Sequence, residues 1–428
     1  MNPEIIIIGA GAAGLMAARE LSKEGKSVLV LEARERTGGR IMPLDEAVFG
    51  YPAQGGAEWV HGDAPITKAL VKEAGLTLVR EAGQIWSIRG GELVQQNSFV
   101  QDDPLLQEKL DALTEDVSIK DFLEKHFSGV EHASFRNSIL RAVEGYDAAD
   151  ADKVSTFMLR DEWLTKKETM EIMDDHRIKE GYGVLVAFLE RECTNNGVKI
   201  ELNSIVTKIE ATDNGVEVLC SNGERIAASQ VIVTVPLPII RDLELPEALQ
   251  DKQSLTSRIG FGNVIKILIR FKTRWWEHAL DTDLSEMAFM LSNERFLTWW
   301  NQYPELTDVF TGWMAGPEAK NYLTSTDEEI FDIALTDLSR IFKIEKAVLK
   351  SEVVSHHIVN WSQDPFTKGA YSYTTVDTKD AYQKLNEPFE NKIFFAGEAL
   401  SKTATATVEG ALESGLTTAQ RVLKSQLV

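Results

Sequence analysis

Gly9, Gly11, Gly14 and Glu32 are the residue types, at the spacing, that hold a dinucleotide. In GAGAAG, residues 9–14, Gly9 permits a tight turn, Gly11 lets backbone approach a pyrophosphate, and Gly14 allows a helix to pack closely on a strand. The helix amino terminus then offers unpaired N–H groups and its positive dipole to phosphates. Glu32 follows Gly14 by eighteen residues, near the ~20 expected of an acid that grips a ribose. An acid at that place disfavours a 2′-phosphate, and so NADP. A second chemically unusual stretch is FGNVIKILIRF, residues 261–271. Read as a strand, it puts Ile265, Ile267, Ile269 and Phe271 on one face and Val264, Lys266, Leu268 and Arg270 on the other. A buried ammonium is expensive unless paired or neutral. A cavity wall with an ordered water gives a reason to keep Lys266 there; a half-exposed strand is the plainer alternative on pattern alone.

The elements that must position these residues are legible around them. EIIII, residues 4–8, is apolar enough for a strand buried on both faces. LMAARELSKEG reads as a helix ending at Gly25, and SVLVLE as a second buried strand ending on Glu32. Residues 196–236 look like a β-meander returning into the nucleotide fold, with KIELN, IVTKIEA and VEVLC as short strands. Asn214-Gly215 and Asn222-Gly223 are two-residue hairpin signals, and SQVIVTVP runs back as a buried strand stopped by Pro236. NKIFFAGEAL closes a strand on Gly397-Glu398, and a helix starts at about Thr407. PLLQEKLDAL, SIKDFLEKHF and ASFRNSILRAVEGY show helical spacing of apolar residues. No internal repeat and no low-complexity linker interrupts the chain.

EARERTGGR, residues 32–40, extends the first motif. Its ExxxRxGGR pattern resembles the second fingerprint of the flavin amine oxidase superfamily, which holds monoamine, polyamine and L-amino-acid oxidases and lysine-specific histone demethylases. The motifs are closest to those of polyamine oxidases. The resemblance implies non-covalent FAD in a discontinuous, Rossmann-like α/β domain of the glutathione-reductase type with a β-meander, from residues 1–78, 181–256 and 385–428. An α+β substrate-binding domain would take 79–180 and 257–384. By the same resemblance Arg36, Gly38, Gly39 and Arg40 line the pyrophosphate and the path to the flavin, with Ala13, Ala33 and Arg34 in the same cofactor wall. Val206 contacts the adenine end; Glu398 lies near the phosphates, and Thr407 and Val408 reach the ring. In QGGAEWVHG, residues 54–62, Gly56, Ala57, Glu58 and Trp59 sit beside the flavin, although Glu58 read by itself simply binds backbone, and His61 faces the amine or a second amino group.

GFGNVIKILIRF resembles the strand whose lysine reaches flavin N5 through a water, so Lys266 would position that water and assist reoxidation by O2. WSQDPFTKGAYSY, residues 361–373, places Tyr371 in the amine cavity wall and Trp361 near the flavin. Ala370 stands where monoamine oxidases have the cysteine bonded to the flavin, and Thr407 where they have a second tyrosine. Core packing is the better expectation for Trp299, Trp300 and Trp313. No amino-terminal module or long inserted helical hairpin is seen, which counts against a histone demethylase; the membrane-anchoring tail of monoamine oxidases is also missing.

The 428-residue chain is long enough for two lobes, and its 43% hydrophobic and 26% charged content is that of a globular protein. A net charge of −21 argues against nucleic acid as partner; it suits a cationic small molecule, although solubility alone explains it as well. The two cysteines, Cys193 and Cys220, form no CxxC, which points to a reducing compartment. With no room for a signal peptide before the first strand and no apolar run near ~18 residues, the expected location is cytoplasmic, with no membrane partner. Nothing in the sequence speaks to oligomeric state.

The chemistry implied is hydride transfer from the α-carbon of a primary or secondary amine to flavin N5, hydrolysis of the imine to an aldehyde, and reoxidation by O2 to give H2O2. An alkyl amine of pKa near ~10.4 must lose a proton first, at roughly 4–5 kcal/mol at pH 7, and an apolar cavity lowers that demand. No metal site or Ser/His/Asp arrangement is evident. Three other readings stay open. An L-amino-acid oxidase needs an arginine for the carboxylate, with Arg89, Arg160, Arg177 and Arg295 as candidates. A flavin-dependent desaturase shares the glycine motifs but not the Lys266 segment. A flavin-binding protein without oxidase activity is the third.

Overall fold

Four consecutive isoleucines make β1 (Ile5–Ile8), which is buried along its whole length and lies at the centre of a five-stranded sheet. α1 (Ala12–Lys23) and β2 (Val28–Leu31) follow. The computed structural model describes residues 2–89, 91–100, 103–161 and 175–426. The sheet order is Ile393–Phe395, Gln230–Val233, β1, β2, Lys199–Glu201, and every pairing in it is parallel. Such a sheet needs cover on both faces. α1, the helix Tyr182–Asn195 and the terminal helix Val408–Ser425 cover one of them, through the cluster that includes Leu15, Leu189 and Leu412. α1 and the terminal helix approach closely because Gly415 has no side chain: a Cβ there would stand 2.2 Å from the Ala13 carbonyl oxygen.

The meander differs from expectation at one strand. Val206–Thr212, Gly215–Cys220 and Arg225–Ala228 form a separate antiparallel sheet with the Asn-Gly turns between them. KIE, residues 199–201, instead pairs in parallel with β2 as the sheet's edge. A three-residue strand carries no periodicity that distinguishes the two partners, so the assignment to the meander is corrected.

A seven-stranded sheet stands apart, in the order Val353–Asn360, Val264–Phe271, Val309–Ala315, Thr298–Trp300, Met287–Leu291, Gln84–Arg89, Glu92–Gln96. Ile265, Ile267, Ile269 and Phe271 pack together with the helix Asp327–Phe342, as alternation requires. Three helices, Pro104–Asp111, Ile119–His126 and Ala133–Gly145, form where the spacing predicts. The hairpin Gln84–Gln96 lies in the segment read as helical and instead extends the sheet. Its strands were overshadowed by the stronger helical periodicity beyond them.

A small third sheet matters most for the site. Trp59–Val60 and Leu78–Arg80 flank His176–Ile178, with Trp59 and Val79 both opposite Arg177. It gathers segments 118 residues apart in sequence, from Trp59 to Arg177.

Candidate active site

One cavity of about 1390 Å3 runs from the nucleotide end of the parallel sheet to the face of the seven-stranded sheet. That exceeds the ~300–1,000 Å3 of an ordinary small-ligand pocket. The residues expected to hold the cofactor or carry the chemistry line it, except Gly14 and Arg36. Gly14 serves packing alone: a Cβ there would meet the Gly9 carbonyl oxygen at 2.0 Å, so only glycine lets α1 sit so close to the turn.

The nucleotide end suits FAD. A Cβ added at Gly11 would meet no protein atom within 4 Å, so the chain leaves bare backbone at the start of α1, and no side chain caps that helix. Unpaired helix N–H groups beside such a cradle are an anion site. The buried Glu32 carboxylate is fixed by two backbone N–H groups, Ala10 at 2.7 Å and Arg34 at 2.9 Å, in position to accept from ribose hydroxyls. At the other end of the cradle Thr407 caps the terminal helix, its hydroxyl accepting from the Gly410 N–H at 3.0 Å.

The arginines divide their roles. Arg40 donates to Glu398 at 2.8 Å and to the Ala370 carbonyl at 2.7 Å. Glu398 also accepts from the Ser372 hydroxyl at 2.6 Å and the Ala406 N–H at 3.0 Å, which ties four segments together below the cavity. Arg34 makes a two-pronged contact with Asp364, at 2.7 and 2.6 Å. Arg36 departs from expectation. Its guanidinium turns onto the carbonyls of Thr37, Gly39 and Ile41 and holds the glycine turn rather than lining the cavity. No cysteine lines the cavity either: Cys193 packs with α1 and Cys220 in the meander cluster. With alanine at 370, no thiol is available to bond a flavin.

Lys266 is buried, and its partner is a side chain. Nζ lies 2.8 Å from Glu58 Oε2 and 3.3 Å from the Gly56 carbonyl oxygen. Glu58 therefore does not merely bind backbone. Its other oxygen takes Gln302 Nε2 at 2.7 Å and Trp300 Nε1 at 3.3 Å, with Arg177 Nε at 3.4 Å. Burial pushes the Glu58 carboxyl up, but the Lys266 ammonium and the Arg177 guanidinium outweigh it and hold it below its ordinary value. Burial drives the Lys266 ammonium down, against the pull of Glu58. The wall around the pair is formed by Trp313, directly opposite Lys266 in the sheet, and by Trp300, whose ring centroid lies 5.3 Å from Nζ. The expectation of core packing holds for Trp299 and fails for Trp300 and Trp313, which face the cavity. Adjacent residues on a strand point to opposite faces, and the sequence does not say which face of TWW is inward.

The substrate end combines aromatic rings with acids. Tyr371 lines it, its hydroxyl donating to the Tyr146 carbonyl, and burial raises its phenol well above the ordinary value. Trp361 is buried, with Nε1 on the Gly55 carbonyl at 3.3 Å. His61 Nδ1 is 3.1 Å from both the Tyr146 hydroxyl and Asp175 Oδ2. Tyr146 and Glu81 also line the cavity; neither carries a motif that sequence reasoning can use. Arg177 stacks on Trp59, 3.8 Å from the ring centroid, and meets Glu81 at 3.1 Å. Of the other candidate arginines, Arg295 pairs with Asp337 and Arg160 with Asp161, and neither lines the cavity; the side chain of Arg89 lies outside the described residues. Among the described residues there is no cluster of metal-binding side chains and no helix long and apolar enough to cross a membrane.

The chain is similar to known proteins in sequence and in fold. The family described as flavin containing amine oxidoreductase matches residues 12–423. Polyamine oxidase 2 of Arabidopsis thaliana is 28% identical, over 98% of this chain and 88% of the relative. Lysine-specific histone demethylase 2 of Homo sapiens is 26% identical, over 98% of this chain but only 53% of the relative. Among solved structures, putrescine oxidase bound to putrescine superposes with a TM-score of 0.81 at 22% identity, covering 99% of both chains. Cyclohexylamine oxidase from Brevibacterium oxydans IH-35A gives 0.82 at 19% identity, covering 100% of both. The chain belongs to the flavin-containing amine oxidoreductases and is an FAD-dependent enzyme of amine oxidation.

Proposed function

We propose that the substrate is a primary or secondary amine of the polyamine class, that O2 is the final acceptor, and that the products are an aldehyde and H2O2. The observation that carries this reading is the compensated Lys266–Glu58 pair in the wall of an aromatic chamber continuous with the nucleotide cradle. Bound FAD supplies the acceptor for a hydride. The chain's part is to desolvate and orient the amine: Tyr371, Trp300, Trp313 and Trp361 form apolar walls that favour the neutral amine over its ammonium, and Lys266 presents N–H donors at the cofactor. His61, fixed by Tyr146 and Asp175, faces the amine's approach. The cofactor roles of the glycine loop, Glu32, Arg34, Arg40, Val206, Glu398, Thr407 and Val408, and the two-domain division, belong to this same reading. Likeness to a polyamine oxidase and to a putrescine oxidase supports the substrate class. Arg177 is engaged by Glu58 and Glu81, which disfavours an amino-acid carboxylate there. Two buried free thiols fit a reducing, cytoplasmic location.

Anaerobic mixing with putrescine, spermidine, spermine, benzylamine and L-amino acids tests this. Bleaching of the flavin by polyamines, followed by peroxide on admission of air, is expected. Bleaching by L-amino acids alone, or by nothing on the panel, overturns the proposal.

A further inference from the structure

Arg34 adjoins the acid placed to grip the ribose, yet its own side chain is held by a loop far along the chain. Its N–H donates to Glu32 Oε1 at 2.9 Å. Its guanidinium reaches a residue 330 positions away: Nη1 donates to Asp364 Oδ2 at 2.7 Å, and Nη2 to Asp364 Oδ1 at 2.6 Å and to the Thr367 hydroxyl at 2.9 Å.

Asp364 is itself fixed. Its Oδ1 accepts from the Phe366 N–H at 3.0 Å, and its carbonyl accepts from the Lys368 N–H at 2.9 Å. The loop is closed at its root, where the Gly369 N–H donates to the Trp361 carbonyl at 3.0 Å. Burial pushes the Asp364 carboxyl up, but Arg34 outweighs it and holds it below its ordinary value, so it is an anion at neutral pH. The Phe366 ring lies over the guanidinium, with its centroid 5.4 Å from Cζ. Arg34, Phe366 and Thr367 all line the cavity.

A guanidinium carries five N–H donors in a rigid fork. Asp364 and Thr367 engage three of them, which fixes the plane of the fork and leaves two for a ligand. A carboxylate beside an anionic cofactor is otherwise out of place, because it repels phosphate. The two-pronged contact gives it a reason: a long side chain ordered before the ligand arrives spares binding that entropy cost.

We propose that Asp364 is a positioning residue for the cofactor: with Thr367 it preorganises the Arg34 guanidinium at the nucleotide end of the cavity and so slows the release of FAD. This rests on the assignment of Arg34 to the cofactor wall, and not on which amine is oxidised.

The test follows FAD release from the holoenzyme, as the rise of free-flavin fluorescence after dilution, in wild type, Asp364→Asn, Arg34→Ala and the double variant. Asp364→Asn is expected to release FAD on the order of 10-fold faster, the effect of losing one charge-assisted contact. Arg34→Ala should release it at least as fast. The double variant should be no faster than Arg34→Ala, because the carboxylate acts only through the arginine. Net charge alone predicts the opposite sign: with an anion removed, Asp364→Asn would hold the anionic cofactor longer. Release that is slowed or unchanged in Asp364→Asn, or effects that multiply in the double variant, overturn this inference alone. Unchanged release in Arg34→Ala overturns the assignment of Arg34 and this inference with it. If Asp364→Asn does not accumulate with FAD bound, Thr367→Val decides: faster release supports the inference, and an unchanged rate ends it.

Discussion

Lys266 and Glu58 meet at 2.8 Å in the protein interior, with side chains 1% and 6% exposed. One residue comes from the middle of an apolar strand and the other from just before the strand Trp59–Val60. Each makes the other tolerable. An isolated charge in either place costs several kcal/mol, and breaking such a pair by removing one partner typically costs about 3–5.

Glu58→Leu should thus destabilise the protein by about 3–5 kcal/mol in urea unfolding, because it leaves Lys266 buried and unpaired. Adding Lys266→Met should recover most of that loss, giving a coupling energy of several kcal/mol in a double-mutant cycle. Additive losses in the double variant would mean that the pair is not coupled.

Lys266→Met alone should retain FAD, since the nucleotide cradle is built from other segments, yet slow turnover on the order of tenfold or more. The visible spectrum of the purified variant and its kcat under air check the two halves. Unchanged kcat would remove Lys266 from the chemistry.

The rate of flavin reduction should rise with pH in stopped-flow mixing with a saturating amine. Only the neutral amine can release hydride, and each pH unit below its pKa costs about 1.36 kcal/mol. A flat profile across the amine's titration contradicts this.

Gly11→Ala and Gly14→Ala should fail differently. At Gly11 the added Cβ meets no protein atom within 4 Å, so unfolding stability stays within about 0.5 kcal/mol while FAD occupancy drops. At Gly14 the Cβ stands 2.0 Å from the Gly9 carbonyl oxygen, and overpacking of this kind costs about 1–3 kcal/mol or more. Paired melting and absorbance measurements separate the two.

Glu81 leaves a signature in stability. Its carboxyl ionises near 4.5 when unfolded and near about 8 in the native state. Between those values the native state keeps a proton that the unfolded chain has lost, so this residue's contribution falls as pH rises. Glu81→Gln removes that slope: its stability relative to wild type should grow by up to about 4 kcal/mol between pH 4.5 and 8.5. A constant difference over that range would mean that Glu81 is ionised throughout.

Local sequence was informative wherever a motif binds backbone to a fixed chemical demand. The tight turn at Gly9, the bare cradle at Gly11 and the acid at Glu32 are properties of short segments, and they lie where spacing predicts. The alternation in Val264–Phe271 likewise separated the face packed on the helix Asp327–Phe342 from the face bearing Lys266. What spacing could not supply is what meets Lys266. Glu58, Arg177 and Glu81 are brought together by a small sheet of distant segments, and long-range pairing of two- and three-residue strands leaves no periodic trace. The inward turn of Trp300 and Trp313, and the edge position of residues 199–201 beside β2, were decided in the same way, by packing between segments. The sequence by itself determined the cofactor and the unusual lysine in an apolar strand, because those depend on local backbone geometry and residue type. The charges that meet that lysine are gathered only once the chain has folded, because Glu58 and Arg177 come from segments far apart in sequence.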